Sequence, residues 1–245
     1  MTIDFYTVFW REMLVLKRTF FKFFTSRLVS PLLYLVAFGW GLGRSIQMKS
    51  GTYLEFVVPG IIALSAMNTS FNGVGTPLNM SRLYHKTLEE YLIAPISAFS
   101  FTLGKVLAGS VRGIIASLII LVLGFLFGAR AVPDLWFFLV VLLTCFLFAS
   151  LGVVAAMTIN SHEDMANFTS FIILPMSFLC GTFFSLEKMP KVIACLIEIL
   201  PLTHASYSLR TLATGGELPW ISMAVLAGYA AVFFTAGVLI VRKVR

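Results

Sequence analysis

Six runs of mostly apolar residues, each long enough to cross a bilayer, constrain this chain more than any other feature. A span needs about 20 such residues. The candidates are 28–46, 56–78, 99–127, 135–159, 166–186 and 219–241. Backbone amides have no water to bond inside lipid, so single apolar spans of this length must be helical. The expected fold class is all-α integral membrane, with six transmembrane helices. Composition agrees, at 59% hydrophobic and 12% charged, where soluble domains carry about a quarter charged residues. A length of 245 residues allows one membrane domain, 1–245, and no large soluble one.

Two other apolar segments do not qualify as spans. Segment 2–26 is interrupted by Arg11, Glu12, Lys17, Arg18 and Lys22. Thr7, Arg11, Arg18, Lys22 and Thr25 form a polar stripe, with Tyr6, Phe9, Trp10, Met13, Phe20 and Phe24 largely opposite. The pattern predicts a helix lying in the interface, its bases toward anionic headgroups, which makes membrane lipid a partner. Segment 192–200 is too short to cross and carries Glu198. Within 187–217, Val192, Ile193, Leu196, Ile197 and Leu200 share an apolar face, and Pro201 breaks the chain. Thr203 is placed to cap a second short helix through Leu212, and Gly215-Gly216 to end it. An outer re-entrant helical hairpin is expected there, buried against protein.

Six spans put both termini on one side. With the N-terminus inside, the inner segments hold Arg11, Lys17, Arg18, Lys22, Arg27, Arg82, Lys86, Arg242, Lys243 and Arg245, and Lys105 and Arg112 lie early in the third span. The outer segments hold Arg44, Lys49, Arg130, Lys188, Lys191 and Arg210. Twelve bases against six support cytoplasmic termini by the positive-inside rule. Topology thus explains the net charge of +7, and no nucleic-acid partner is expected. The N-terminus lacks a short apolar core followed by small residues, so no cleavable signal is expected.

The polar stretch 81–97 reads as one amphipathic cytoplasmic helix. Tyr84, Thr87, Leu88, Tyr91 and Leu92 share a face, and Arg82, His85, Lys86, Glu89 and Glu90 take the other. Ser81 can cap its start, and Pro95 ends it. So short a helix is marginal alone in water. It should be docked, either on a cytoplasmic partner protein or as an ordered loop on the bilayer surface.

A catalytic site is hard to assemble from what remains. His85 and His162 face inward and His204 outward, and no HExxH or paired-carboxylate motif occurs. No acid sits deep within the six spans, as proton-coupled carriers and intramembrane proteases usually require. Gly104-Lys105 is followed by Val, and Phe stands at 99, so the loop GxxxxGK[ST] is absent and no ATP hydrolysis is expected here. Cys145, Cys180 and Cys195 lack metal spacing; buried thiols or a Cys180–Cys195 disulfide near the outer face are both open. The Asn-x-Ser/Thr triplets at Asn68, Asn79 and Asn167 lie within spans or at their inner ends and read as noise.

Lys105 and Arg112 are seven residues apart and share one helix face. Lys105 is expected at headgroup level. Arg112 lies deeper, and its partner is expected to be a carbonyl, water, a second protomer or an anionic substrate group. It is either an interhelical contact or part of a transport path. Gly60, Ala63, Ser65, Ala66, Ser70, Gly73 and Gly75 suit close packing of the second span or a wet lining. Asn68, Asn72 and Asn79 add polarity unusual for a lipid-facing helix.

In order and spacing, these features resemble the permease subunits of ABC-2-type exporters. The residues concerned are the interfacial helix, Tyr53-Leu-Glu-Phe-Val-Val-Pro-Gly60, Lys86-Thr-Leu-Glu-Glu-Tyr-Leu-Ile-Ala-Pro95, Gly181-Thr-Phe-Phe-Ser-Leu-Glu187 and Leu200-Pro-Leu-Thr-His204 with Arg210. The last resembles most the branch exporting lipo-oligosaccharides, polysaccharides and some drugs. The resemblance implies a bacterial inner-membrane dimer of permeases with two ATP-binding subunits, which would carry the ATP and Mg, and no cofactor on this chain. It implies that Arg82, His85, Lys86, Glu89, Glu90, Tyr91 and Leu92 form a coupling helix on the ATPase. The path would lie at the dimer interface, with Asn68, Asn72 and Arg112 as candidate lining. The alternatives are a small secondary transporter or channel not driven by ATP, and an intramembrane enzyme. The first should show polar coupling sites at mid-membrane or a hydropathy repeat, and the second needs buried acids.

Overall fold

The computed structural model describes residues 2–37, 52–94, 96–130, 132–180 and 196–244. Helix is the only regular structure among them. Five helices are long and apolar enough to cross a membrane: α1 (Thr2–Tyr34), α2 (Tyr53–Leu83), α4 (Ala98–Leu126), α5 (Leu135–Thr158) and α9 (Trp220–Val244). The short helices are α3 (Thr87–Ile93), α6 (His162–Phe168), α7 (Leu174–Leu179) and α8 (Pro201–Ala213). The chain is thus a multi-pass all-α membrane protein.

The bundle is built around α2. It buries residues on every side, from Val57 and Ile61 to Phe71 and Leu78, because α4, α5 and α8 all pack on it. Close approach is made by glycines. At Gly152 an added Cβ would stand 2.8 Å from the Phe71 carbonyl oxygen and 3.2 Å from the Gly75 nitrogen, so α2 and α5 touch backbone to backbone. At Gly113 of α4 it would stand 2.0 Å from Ser70 Oγ and 2.7 Å from Cys145 Sγ. The small residues of the second span therefore serve packing at Ser70 and Gly75. Cys145 and Cys180 are buried thiols, and Cys195 lies outside the described residues.

Three expectations change. First, segment 2–26 and the first span are not separate elements. A single helix runs from Thr2 to Tyr34, with neither Pro nor Gly before Pro31 to break it. A polar stripe does not interrupt helical hydrogen bonds, so the charges within 2–26 are no evidence of an end. Residues 38–46 of the predicted span lie outside the described residues.

Second, the predicted helix over 81–97 is divided. Ser81, Arg82 and Leu83 finish α2, the chain turns at Lys86 in the left-handed region (φ 53°), and α3 has only seven residues. Ser81 caps nothing: its hydroxyl bonds that of Thr87 across the turn. The extension of α2 is held by α5. Asn79 donates to the Ile159 carbonyl at 3.0 Å, and the Arg82 guanidinium bonds the carbonyls of Ala156 and Met157 and the side chain of Asn160. Pro95 lies outside the described residues.

Third, the segment predicted as the fifth span starts earlier and is interrupted. Its start is marked by Ser161, which accepts from the Asp164 amide and caps α6 at His162. A π-helical turn, Thr169–Ile173, then precedes α7, where Pro175 has no N–H to give. Residues 181–195, including Val192 and Ile193 of the predicted hairpin's first arm, lie outside the described residues; of the rest of that arm's apolar face, Ile197 is buried and Leu196 exposed. Of the hairpin, α8 is present and starts at Pro201, ahead of the expected cap. Thr203 lies inside it and donates to the Ile197 carbonyl at 2.6 Å. Gly215 at φ 76° follows its end. Arg210 of α8 donates from Nε to the Phe56 carbonyl at 3.0 Å and lies 3.8 Å over the Phe56 ring, closing the start of α2. Burial presses its guanidinium down to about 10, with Tyr53 opposing, so it stays charged at neutral pH.

Candidate functional site

The end of the bundle that carries α3 and α6 gathers most of the predicted site residues. Among the described side chains of α3, Leu88 and Tyr91 dock it. Leu88 is buried with Val8, Leu78 and Phe101. Tyr91 sets its ring edge-on to Phe101, with centroids 5.2 Å apart. The outward face keeps Glu89 and Glu90 exposed, and the turn before it exposes Tyr84, His85 and Lys86. Tyr84 therefore does not share the docked face as its spacing suggests, because the break at Lys86 resets the helical phase. Leu92 falls within α3.

Tyr91 is also where α3 meets charge. Arg11 of α1 donates to its hydroxyl and lies 4.9 Å from its ring centroid. The Lys105 ammonium of α4 lies 5.4 Å from the same ring. Both cations face the electron-rich side of the phenol, a contact that strengthens out of water.

Behind Tyr91 lies a three-charge cluster. Glu12 of α1 accepts from Lys105 Nζ at 2.6 Å through one carboxylate oxygen and from Arg112 Nη2 at 2.8 Å through the other. Arg112 Nη1 donates to the Gly73 carbonyl of α2. Only 10–16% of each of these side chains is exposed. One acid between two cations thus joins α1 to α4, and Arg112 joins both to α2. The Gly73 carbonyl is the kind of partner the sequence leads us to expect for Arg112. Glu12 is not, since the polar stripe puts its segment at the surface. A signal is nevertheless present: Glu12 is the only acid between Asp4 and Glu55, and it faces two bases spaced seven apart. The predicted partner helix and Arg112 are consequently parts of one connected cluster, α3–Tyr91–Arg11/Lys105–Glu12–Arg112–Gly73.

Arg82 stands apart from that cluster, spent on the end of α5. Asn68 and Asn72 also stand apart, near the middle of α2. Asn72 Nδ2 donates to the Asn68 carbonyl at 2.9 Å. Both line a cleft of about 220 Å³ between α1 and α2, together with Arg27, which the charge pattern places at the inner surface. No group of His, Cys, Asp and Glu that could hold a metal occurs among the described residues.

The sequence profile of the ABC-2 type transporter family matches residues 3–213. Among curated proteins, the inner membrane transport permease YadH of Escherichia coli K12 is 26% identical over 192 residues, which are 76% of this chain and 74% of that protein. Nodulation protein J of Rhizobium meliloti is 28% identical over 245 residues, covering 95% of this chain and 90% of the relative. Nodulation protein J of Azorhizobium caulinodans is 28% identical over 250 residues, covering 96% and 95%.

Proposed function

Because the chain belongs to the ABC-2 type transporter family, we propose that it is the transmembrane subunit of an ATP-driven exporter, coupled through α3 to a separate ATP-binding subunit. One observation carries the reading. α3 is docked by Leu88 and Tyr91 yet turns Glu89 and Glu90 outward, with His85 and Lys86 beside them. A helix of seven residues has no stability of its own. Its inward face is fixed on α1 and α4, and its outward face is free to seat on a partner and pass that partner's movement inward. ATP and Mg would be bound by the ATP-binding subunits, since this sequence has no phosphate-binding loop of its own.

The assembly we propose has two permease copies and two ATP-binding subunits in the bacterial inner membrane, with the α3 end and both termini cytoplasmic. The excess of bases on the α3 side supports this orientation, even after Arg27 is moved to mid-helix depth. The path would take an amphipathic, lipid-linked or glycan substrate. Asn68 and Asn72 would line it, and Arg112 would hold its walls together instead of facing the cargo.

Two tests address this reading. Glu89→Lys combined with Glu90→Lys should lower recovery of the ATP-binding subunit in co-purification by about tenfold or more, since like charges replace opposite ones on a docking face. The permease itself should fold normally, as both side chains are exposed. Undiminished recovery together with undiminished transport would remove α3 from coupling. For orientation, cysteine placed at Ser161 should resist an impermeant thiol reagent in intact cells, while cysteine at Gly216 should react. Labelling of position 161 from outside would invert the topology.

A further inference from the structure

Arg27 is a cation whose partner is missing among the described residues. It lies fifteen residues beyond Glu12 on α1, about 22 Å along the helix. It faces Asn68, near the midpoint of α2. A charge at that depth is costly unless something answers it. Glu12, the acid that answers Lys105 and Arg112, is too far along α1 to answer Arg27 as well. Arg27 Nε is buried without a hydrogen-bond partner, and its guanidinium has only the Phe23 ring, 5.8 Å away.

What it faces is a cleft of mixed character. Ser30, Asn68 and Asn72 supply neutral polar groups, and Ile61 and Leu64 an apolar wall. No acid lines it among the described residues. Pro31, also in the lining, has no N–H to give the Arg27 carbonyl. A planar cation with neutral donors around it and no competing carboxylate fits a phosphate or carboxylate. The apolar wall beside it fits the chain that carries such a group. We propose that this cleft binds the anionic head group of an amphipathic molecule, with Arg27 as its charged contact. The proposal rests on the exporter reading and deepens it by naming a cargo chemistry, a phosphate or carboxylate on an apolar carrier.

The test uses the purified full-length permease in phosphatidylcholine nanodiscs, with dodecyl phosphate as the anionic probe and dodecyl maltoside as the neutral one. Thermophoresis should show Arg27→Gln weakening dodecyl phosphate by about tenfold or more, and Arg27→Lys by less than about threefold. Dodecyl maltoside should bind all three alike. Equal affinity of wild type and Arg27→Gln for dodecyl phosphate would overturn the proposal. Should Arg27→Gln fail to give a monodisperse protein, Asn72→Leu keeps the cation and removes cleft polarity. It should weaken dodecyl phosphate by about fivefold, and unchanged binding there would equally overturn the proposal. Phosphatidylglycerol in the nanodisc separates two sources of the same chemistry. If it displaces dodecyl phosphate, the natural occupant is a bilayer lipid; if it does not, the occupant is a different anionic amphiphile, and either result supports the site. No ATP-binding subunit takes part, so failure here leaves the coupling test of Glu89 and Glu90 standing, and the reverse holds too.

Discussion

Glu12→Gln should destabilise the folded permease by about 3–5 kcal/mol, the range for removing one partner of a buried charge cluster. The loss would not come from the vanished attraction alone. Lys105 and Arg112 would remain, 11% and 10% exposed, as two like charges around a side chain that no longer carries an opposite one. The measurement is the unfolding midpoint in detergent, with Arg112→Lys and Arg112→Gln beside it. Arg112→Lys keeps a charge for Glu12 and forfeits the bond to Gly73, so it should lose less than Arg112→Gln. Converting Glu12, Lys105 and Arg112 together to Met should recover most of the stability, since apolar replacements of a whole buried ion cluster are often neutral or better. If Glu12→Gln alone stayed within about 1 kcal/mol of wild type, the cluster would be a surface ornament and not a joint.

Gly152→Val should cost about 3 kcal/mol, and Gly152→Ala less but in the same direction. The neighbours of a new Cβ here are the Phe71 carbonyl oxygen and the Gly75 nitrogen, both backbone, so no side chain can swing away. α2 and α5 would have to part along their longest contact. Gly228→Ala on α9 is the control, because nothing lies within 4 Å of its added Cβ. Expression and unfolding midpoints of the three variants give the comparison. A Gly152→Val protein as stable as Gly228→Ala would mean that α2 and α5 do not approach as closely as described.

Spans bounded by polar residues are legible to within a residue or three. The sequence predicts 99–127, 135–159 and 219–241, and the helices are Ala98–Leu126, Leu135–Thr158 and Trp220–Val244. Each run starts beside a capping group or a proline: Ser97 accepts from the Ser100 amide, Asp134 from that of Leu135, and Pro219 precedes Trp220. Two of the errors, at the first helix and at the end of α2, share a different cause. Hydropathy reports where charge is tolerated, and tolerance depends on partners that lie far away in sequence. Glu12 and Arg112 are a hundred residues apart, and together they admit each other to a depth neither would reach alone. Asn79 and Arg82 likewise extend α2 because acceptors wait at the end of α5. The turn at Lys86 is hidden for a local reason. A left-handed residue that is not glycine leaves no mark in the sequence. The docked face of α3 is nevertheless readable at Leu88 and Tyr91, whose spacing of three survives the break.

The unbroken first helix gives the protein a lever. Between the clamp at Glu12 and the cleft at Arg27 there is neither glycine nor proline, so this length of α1 turns as one piece. The clamp is the fulcrum. Arg11, beside it, is gripped by Tyr91 of α3. A tilt of about 10° imposed at the short arm would carry Arg27 through about 4 Å, given a long arm of about 22 Å. That is more than the reach of a hydrogen bond. Two jointed helices would have absorbed such a tilt at the joint, whereas a rod delivers it to the far end of the arm.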